Sequence, residues 1–180
     1  MGIDLIITKR TDLRLLNLME LHYSHPKGFV GRNICYSILC IDIYYGHIIG
    51  GSACLHLPNR DRFFGNCNLN NIVNNVFYHI EKRNNKYPIR NFSVKVLETF
   101  CGLIARDWLE KYGDAVHGFE SLVELPRTGE LYKRAGWSEI GVTKGFTCKR
   151  IAGISSDKWT GKRVWNTNNL RPKLVFAKKV

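Results

Sequence analysis

Glu124 and Tyr132 are the two residues whose types and spacing point most directly to chemistry. The apolar run of Phe119, Leu122 and Val123 stops at Glu124, and Pro126 ends the strand because it has no N–H to give to a sheet ladder. Thr128 is placed to cap a short helix whose apolar positions, Leu131, Tyr132 and Ala135, recur three and four apart, and Gly136 suits its exit. A carboxylate able to take up a proton and a phenolic hydroxyl are thereby expected at the C-terminal end of one strand, where open α/β sheets bind ligands.

The elements that position this pair follow from the periodicity of the chain. Leu15, Leu18, Met19 and Tyr23 lie at helical spacing behind Thr11 or Asp12, which predicts a helix over 11–23. It ends at His22, and His22 with His25 is a candidate metal pair, although no acidic or cysteine partner lies close in sequence. Two β-rich runs between Ile34 and Leu57, split by Tyr45-Gly46-His47, read as a hairpin. Gly50-Gly51 in the second run suggests a bulge or a close backbone approach, and Pro58 to Arg62 reads as a charged loop. A strand over 72–80 and a basic loop then lead to the clearest helix, 92–112. Phe92, Val96, Phe100, Leu103 and Trp108 share one face of it, and Gly113 ends it. Asn91 or Ser93 can cap its start, where free N–H groups form an anion site. This order predicts an α/β fold with a mixed central sheet. The expected organisation is one domain over 1–150 and a basic C-terminal extension over 151–180, packed on that domain and ending in a short strand at Leu174 to Ala177.

The formal net charge is +12, and most of it sits at one end. Arg127 to Val180 holds thirteen Lys and Arg against three acidic residues, a balance of +10, interleaved with Phe146, Trp159, Trp165 and Phe176. Cations mixed with aromatic planes suit a nucleic-acid surface, and a solvated basic face is the plainer alternative. Six scattered cysteines without a C-x-x-C pair and without a signal peptide point to a reducing compartment, the cytoplasm. No apolar stretch is long enough to span a membrane.

Two resemblances attach to these residues. Leu131-Tyr132-Lys133-Arg134-Ala135-Gly136-Trp137 resembles the L-Y-x-x-x-G-[FW] segment of the GCN5-related (GNAT) acyltransferase fold, which implies a mixed central sheet with flanking helices. The resemblance implies that Tyr132 acts as general acid to the departing thiolate of coenzyme A. The fold's usual phosphate loop, R/Q-x-x-G-x-G/A, is replaced by Lys86 to Ser93, which has no glycine. A narrower likeness covers about residues 20–150. His22-Tyr23-Ser24 with Pro26-x-Gly28, the Gly50-Gly51 strand, Asn91-x-Ser93 and the segment Glu124 to Gly145 are similar to the Mom family of phage DNA adenine-modification proteins and the related small proteins of anti-phage defence islands. That family usually has aspartate at the position of Glu124 and an arginine in the strand before the basic loop.

The likeness to Mom implies a DNA-modifying transferase that adds a small acyl-derived group to a nucleobase amine, adenine N6 foremost. Glu124, Tyr132, His22 and Tyr23 would be catalytic, Glu124 as the base for a weakly nucleophilic amine. Arg90, Asn91, Ser93 and Lys95 are the candidates for holding acetyl-CoA or a related acyl donor, and the likeness admits iron at His22 and Tyr23. Lys144, Lys149, Arg150, Lys162 and Arg163 would contact DNA, whose target base must be flipped out or single-stranded. The compartment would be a host cytoplasm if the chain is phage-encoded, and a homodimer is compatible with the sequence. Two other readings stand beside this one: a conventional acetyl-CoA-dependent N-acetyltransferase of a small amine or protein lysine, and a non-enzymatic DNA-binding protein.

Overall fold

The computed structural model describes residues 2–22, 31–145, 147–150, 163–166 and 170–180. In chain order they form β1 (Ile3–Thr8), α1 (Leu13–Leu21), β2 (Asn33–Cys40), β3 (Ile43–Ser52), α2 (Arg60–Phe64), a short 3-10 turn (Leu69–Asn71), β4 (Ile72–Ile80) and α3 (Phe92–Tyr112). Then come β5 (Gly118–Glu124), α4 (Glu130–Arg134), β6 (Ser138–Val142), β7 (Thr147–Arg150), β8 (Arg163–Asn166) and β9 (Lys173–Lys179). Seven strands make one sheet in the order β1-β2-β3-β4-β5-β9-β6, and β7 with β8 makes a separate ribbon. Every pairing is antiparallel except β4 with β5, whose connection runs through α3, so the sheet is mixed as expected.

Two layers of side chains hold the sheet. On one face α3 contributes Phe92, Val96, Leu97, Phe100, Ile104 and Trp108 to a core with Tyr36, Ile48, Val73, Phe119 and Phe176. On the other, Leu15, Leu18 and Met19 of α1 cover Cys35, Ile49 and Phe77. The first helix is capped by Asp12, whose carboxylate accepts from the N–H groups of Arg14 and Leu15. Gly50 is required by close approach: a Cβ there would lie 2.0 Å from Ile104 Cδ1 of α3.

Three expectations are corrected. The β2–β3 turn is Ile41-Asp42, both with positive φ, as a two-residue hairpin demands; Gly46 lies within β3, where a Cβ would meet the His79 carbonyl oxygen at 2.0 Å. The 58–62 stretch runs into α2 (Arg60–Phe64), whose Arg60 turns inward to the buried Glu120. Gly129, with φ +68, precedes α4 instead of a Thr128 side-chain cap, since a Cβ at 129 would fall 2.2 Å from the Phe176 ring. The short strand expected at Leu174 to Ala177 is found as β9, which lies between β5 and β6. No helix among the described residues is long and apolar enough to cross a membrane.

Candidate active site

The cleft arises where two strands part. β4 and β5 pair only over Ile72–Asn74 and Gly118–Glu120, after which each continues without the other. Across β3 the register also slips, Gly50 facing Asn75 and Ile49 facing Phe77, so Val76 has no cross-strand partner on either side. The gap opens into a cleft of about 700 Å³ lined by both strands, the 126–132 segment, His22, Cys54 and Lys173.

Tyr132 reaches the floor of this gap. Its hydroxyl donates to Asn75 Oδ1 at 2.7 Å and accepts from Ser121 Oγ at 2.8 Å, joining the parted strands. Ser121 Oγ also lies 3.2 Å from the Asn75 carbonyl, so its single proton has two acceptors. Asn75 Nδ2 donates to the carbonyls of Ile49 and Phe77, on either side of the slip. The Tyr132 ring stacks on Phe176 at 5.4 Å and meets Trp137 edge-on at 5.1 Å, which fixes its direction. Nothing local in the sequence marks Asn75 and Ser121 as its partners.

Glu124 ends β5 at the cleft, half-buried, with Oε1 3.8 Å from Arg171 Nη1. Glu124 and Tyr132 both line this cleft, Tyr132 from the side of Ser121 and Glu124, by strand alternation, from the opposite face of β5. His22 caps the C-terminal end of α1, is buried, and places its ring 4.8 Å from Phe77 and 5.9 Å from His79. It lines both this cleft and an adjoining cavity of about 470 Å³, which continues past Tyr78 and Arg127 to Ser93. Burial pushes the His79 imidazole down and the Tyr78 hydroxyl well up; the latter donates to the Ser93 carbonyl at 2.7 Å, tying β4 to the start of α3.

At the start of α3, Asn91 is in the left-handed region and makes no side-chain cap; its Oδ1 accepts from Arg134 Nη2 at 2.6 Å. The N-terminus of a 21-residue helix therefore has a guanidinium beside it, a setting that favours an anion. Ser93 lines the adjoining cavity, whereas Arg90 and Lys95 are exposed and line neither cavity. Arg134 is a candidate the sequence did not single out.

A further buried group shapes the opposite side of the cleft. Glu120 is fully buried; Arg60 Nε and Nη2 donate to its Oε2 at 2.9 and 2.7 Å, and the Cys54 N–H donates to Oε1 at 2.5 Å. Arg60 also donates to the Cys54 carbonyl, so the pair pins the segment after β3. Burial pushes the Glu120 carboxyl up, against the pull of the Cys54 N–H and Arg60. Burial likewise raises the Cys54 thiol to about 12, keeping it protonated.

Tyr23 and Lys162 lie outside the described residues. Lys149 and Arg150 fall on β7 and Arg163 on β8, whose side chains are not described, and Lys144 is exposed beyond β6. His25 is also outside them. Among the described residues no group of three or more His, Cys, Asp or Glu gathers to hold a metal, so iron at His22 gains no support.

No family model matches the sequence, and no curated protein does. Solved structures do match along the whole chain. An acetyltransferase of Bacillus subtilis in complex with CoA superposes with a TM-score of 0.58 at 12% identity, covering 99% of each chain. A GNAT family acetyltransferase of Elizabethkingia anophelis with acetyl-CoA bound gives 0.58 at 10% identity over 99% of this chain and 98% of that one. A spermidine/spermine N-acetyltransferase of Vibrio cholerae gives 0.52 at 10%, over 99% and 95%. The chain has the GNAT acetyltransferase fold.

Proposed function

We propose that the protein is an N-acyltransferase that moves an acyl group from a coenzyme A thioester to an amine. The observation that carries this reading is the Tyr132 hydroxyl held at the floor of the cleft where β4 and β5 part. A bound acyl-CoA would supply an acyl group already activated as a thioester. The free N–H groups at the start of α3, with Arg134 beside Asn91 and Arg90 one residue earlier, suit the donor's phosphates without a glycine loop.

Glu124 takes the proton that the amine gives up as the new C–N bond forms. Tyr132 supplies a proton to the sulfur as the C–S bond breaks, and Ser121 then steadies the phenolate through the hydrogen bond it already makes. Val76, without a ladder partner on either side, sits where a thioester carbonyl can be polarised by a backbone N–H.

A nucleobase amine in DNA is the rival acceptor, favoured by the +12 charge and its concentration after Arg127. The two readings part on the product. Acetyl-CoA with a panel of small amines and lysine peptides is expected to release free thiol in an amine-dependent way. DNA from cells expressing the protein is digested and its nucleosides weighed by mass spectrometry in parallel. A new nucleoside mass without small-amine turnover would transfer the reading to DNA, and no product in either arm would remove the transferase reading.

A further inference from the structure

We infer that the amine acceptor is zwitterionic, carrying a phosphate or carboxylate close to its amine, and that Glu124 and Lys173 hold its two ends. This rests on the acyl-transfer reading above.

Strand alternation divides the cleft into two halves. On β5, Ser121 and Val123 point with Tyr132 towards α3 and α4, while Glu120, Leu122 and Glu124 point to the other face. The register carries this across to β9. Phe176 faces Ser121 and stacks on Tyr132, whereas Val175 and Lys173 face Leu122 and Glu124. Lys173 is therefore a direct cross-strand neighbour of Glu124, with Cβ atoms about 5 Å apart in such a pair.

Opposite charges so placed ordinarily neutralise one another, yet these two do not. Among the described residues Glu124 pairs with the exposed Arg171, at 3.8 Å, and Lys173 makes no ion pair. Both line the cleft. Glu120, on the same face, is already engaged by Arg60 and makes no ion pair with Lys173. A carboxylate and an ammonium side by side in one cleft complement a ligand that presents an ammonium and an anion at similar spacing.

A second observation lies on the same face. Asn74, paired with Glu120 in the register, is 4% exposed; its Nδ2 donates to Cys54 Sγ at 2.8 Å and its Oδ1 has no partner among the described residues. A buried acceptor left unsatisfied is unfavourable, and an N–H donor of the ligand at the cleft floor relieves it. Amine towards Asn74 and Glu124, anion towards Lys173, is the orientation that answers all three groups.

The test is titration calorimetry of the full chain with ethanolamine, phosphoethanolamine and β-alanine, beside a titration with acetyl-CoA. At least one zwitterion is expected to bind ten times more tightly than ethanolamine, and which one does so identifies the anion. Lys173→Gln is expected to erase that preference and Lys173→Arg to keep it, while Asn74→Leu weakens all amines alike. If neither zwitterion outbinds ethanolamine, or if Lys173→Gln leaves the preference intact, the inference is overturned. When that happens with acetyl-CoA still bound, the acyl-transfer reading survives; if acetyl-CoA does not bind, that reading fails and this inference with it.

Discussion

Replacing Tyr132 by Phe removes one oxygen atom and separates structural from chemical roles. The ring keeps its stacking on Phe176 and its edge contact with Trp137, so packing is retained. What is lost is the donor to Asn75 Oδ1 at 2.7 Å and the acceptor for Ser121 at 2.8 Å. Ser121 can turn its proton wholly to the Asn75 carbonyl, already 3.2 Å away, so the uncompensated loss is the donor to Asn75 Oδ1. Leaving that acceptor without its donor costs about 1–3 kcal/mol. For a domain of this size that lowers the melting temperature by about 2–12 °C. If Tyr132 is the proton donor to the leaving thiolate, kcat falls by about 10²–10⁴, with the KM for acyl-CoA little changed. Ser121→Ala is the comparison, because it keeps the Tyr132 to Asn75 bond and removes only the hydrogen bond that steadies the phenolate; it is expected to lower kcat, by less than Tyr132→Phe does. Thermal melts and thiol-release kinetics on the three proteins decide the matter. A Tyr132→Phe protein that melts lower as expected but turns over within threefold of the parent would show that the hydroxyl only pins the strands together.

Three further perturbations test the frame around the site. Glu120→Gln leaves Arg60 buried beside a neutral partner and is expected to cost about 3–5 kcal/mol, whereas Arg60→Met with Glu120→Leu returns most of it; urea denaturation of both is the measurement, and equal losses would deny the coupling. His47, fully buried between Tyr44 and Ser37, has its imidazole pushed down to about 4 by burial. Its folded pKa is below the ordinary value, so its contribution is complete above pH 6.5 and is lost as pH falls from 6.5 to about 4, on the order of 3 kcal/mol. Urea melts at pH 7 and pH 4.5 are expected to differ less in His47→Gln than in the parent, and an equal difference would count against it. Gly129→Ala forces a left-handed backbone on alanine and drives a methyl group into Phe176; it is expected to cost at least about 2 kcal/mol by thermal melt and to reduce turnover by displacing α4, and a neutral result would refute the tight fit.

Much of the site's frame is legible from residue order alone. The 3.6-residue stripe of Phe92, Val96, Phe100 and Trp108 defines α3, and Gly113 ends it by donating its N–H to the Leu109 carbonyl in a left-handed conformation. The apolar run ending at Glu124 and the Leu131-Tyr132 turn place a carboxylate and a phenol at one strand end, because strand, turn and helix are contiguous in sequence and each has a local signal. The hairpin turn is harder: Gly46 looks like turn chemistry, yet its glycine serves close packing against His79, and Ile41-Asp42 adopt the positive φ values instead.

By itself, then, the sequence determined the helices and strands that bear Glu124, Tyr132 and the start of α3, and it determined the basic character of the last third. Tertiary structure alone decided what surrounds them. Asn75 meets Tyr132 across 57 positions, Arg60 meets Glu120 across 60, and Lys173 comes beside Glu124 because β9 enters the sheet between β5 and β6. The physical reason is that strand pairing and burial act between segments distant in the chain. The free energy of satisfying a buried hydroxyl or carboxylate depends on which strand becomes its neighbour, and no local pattern of residues encodes that choice.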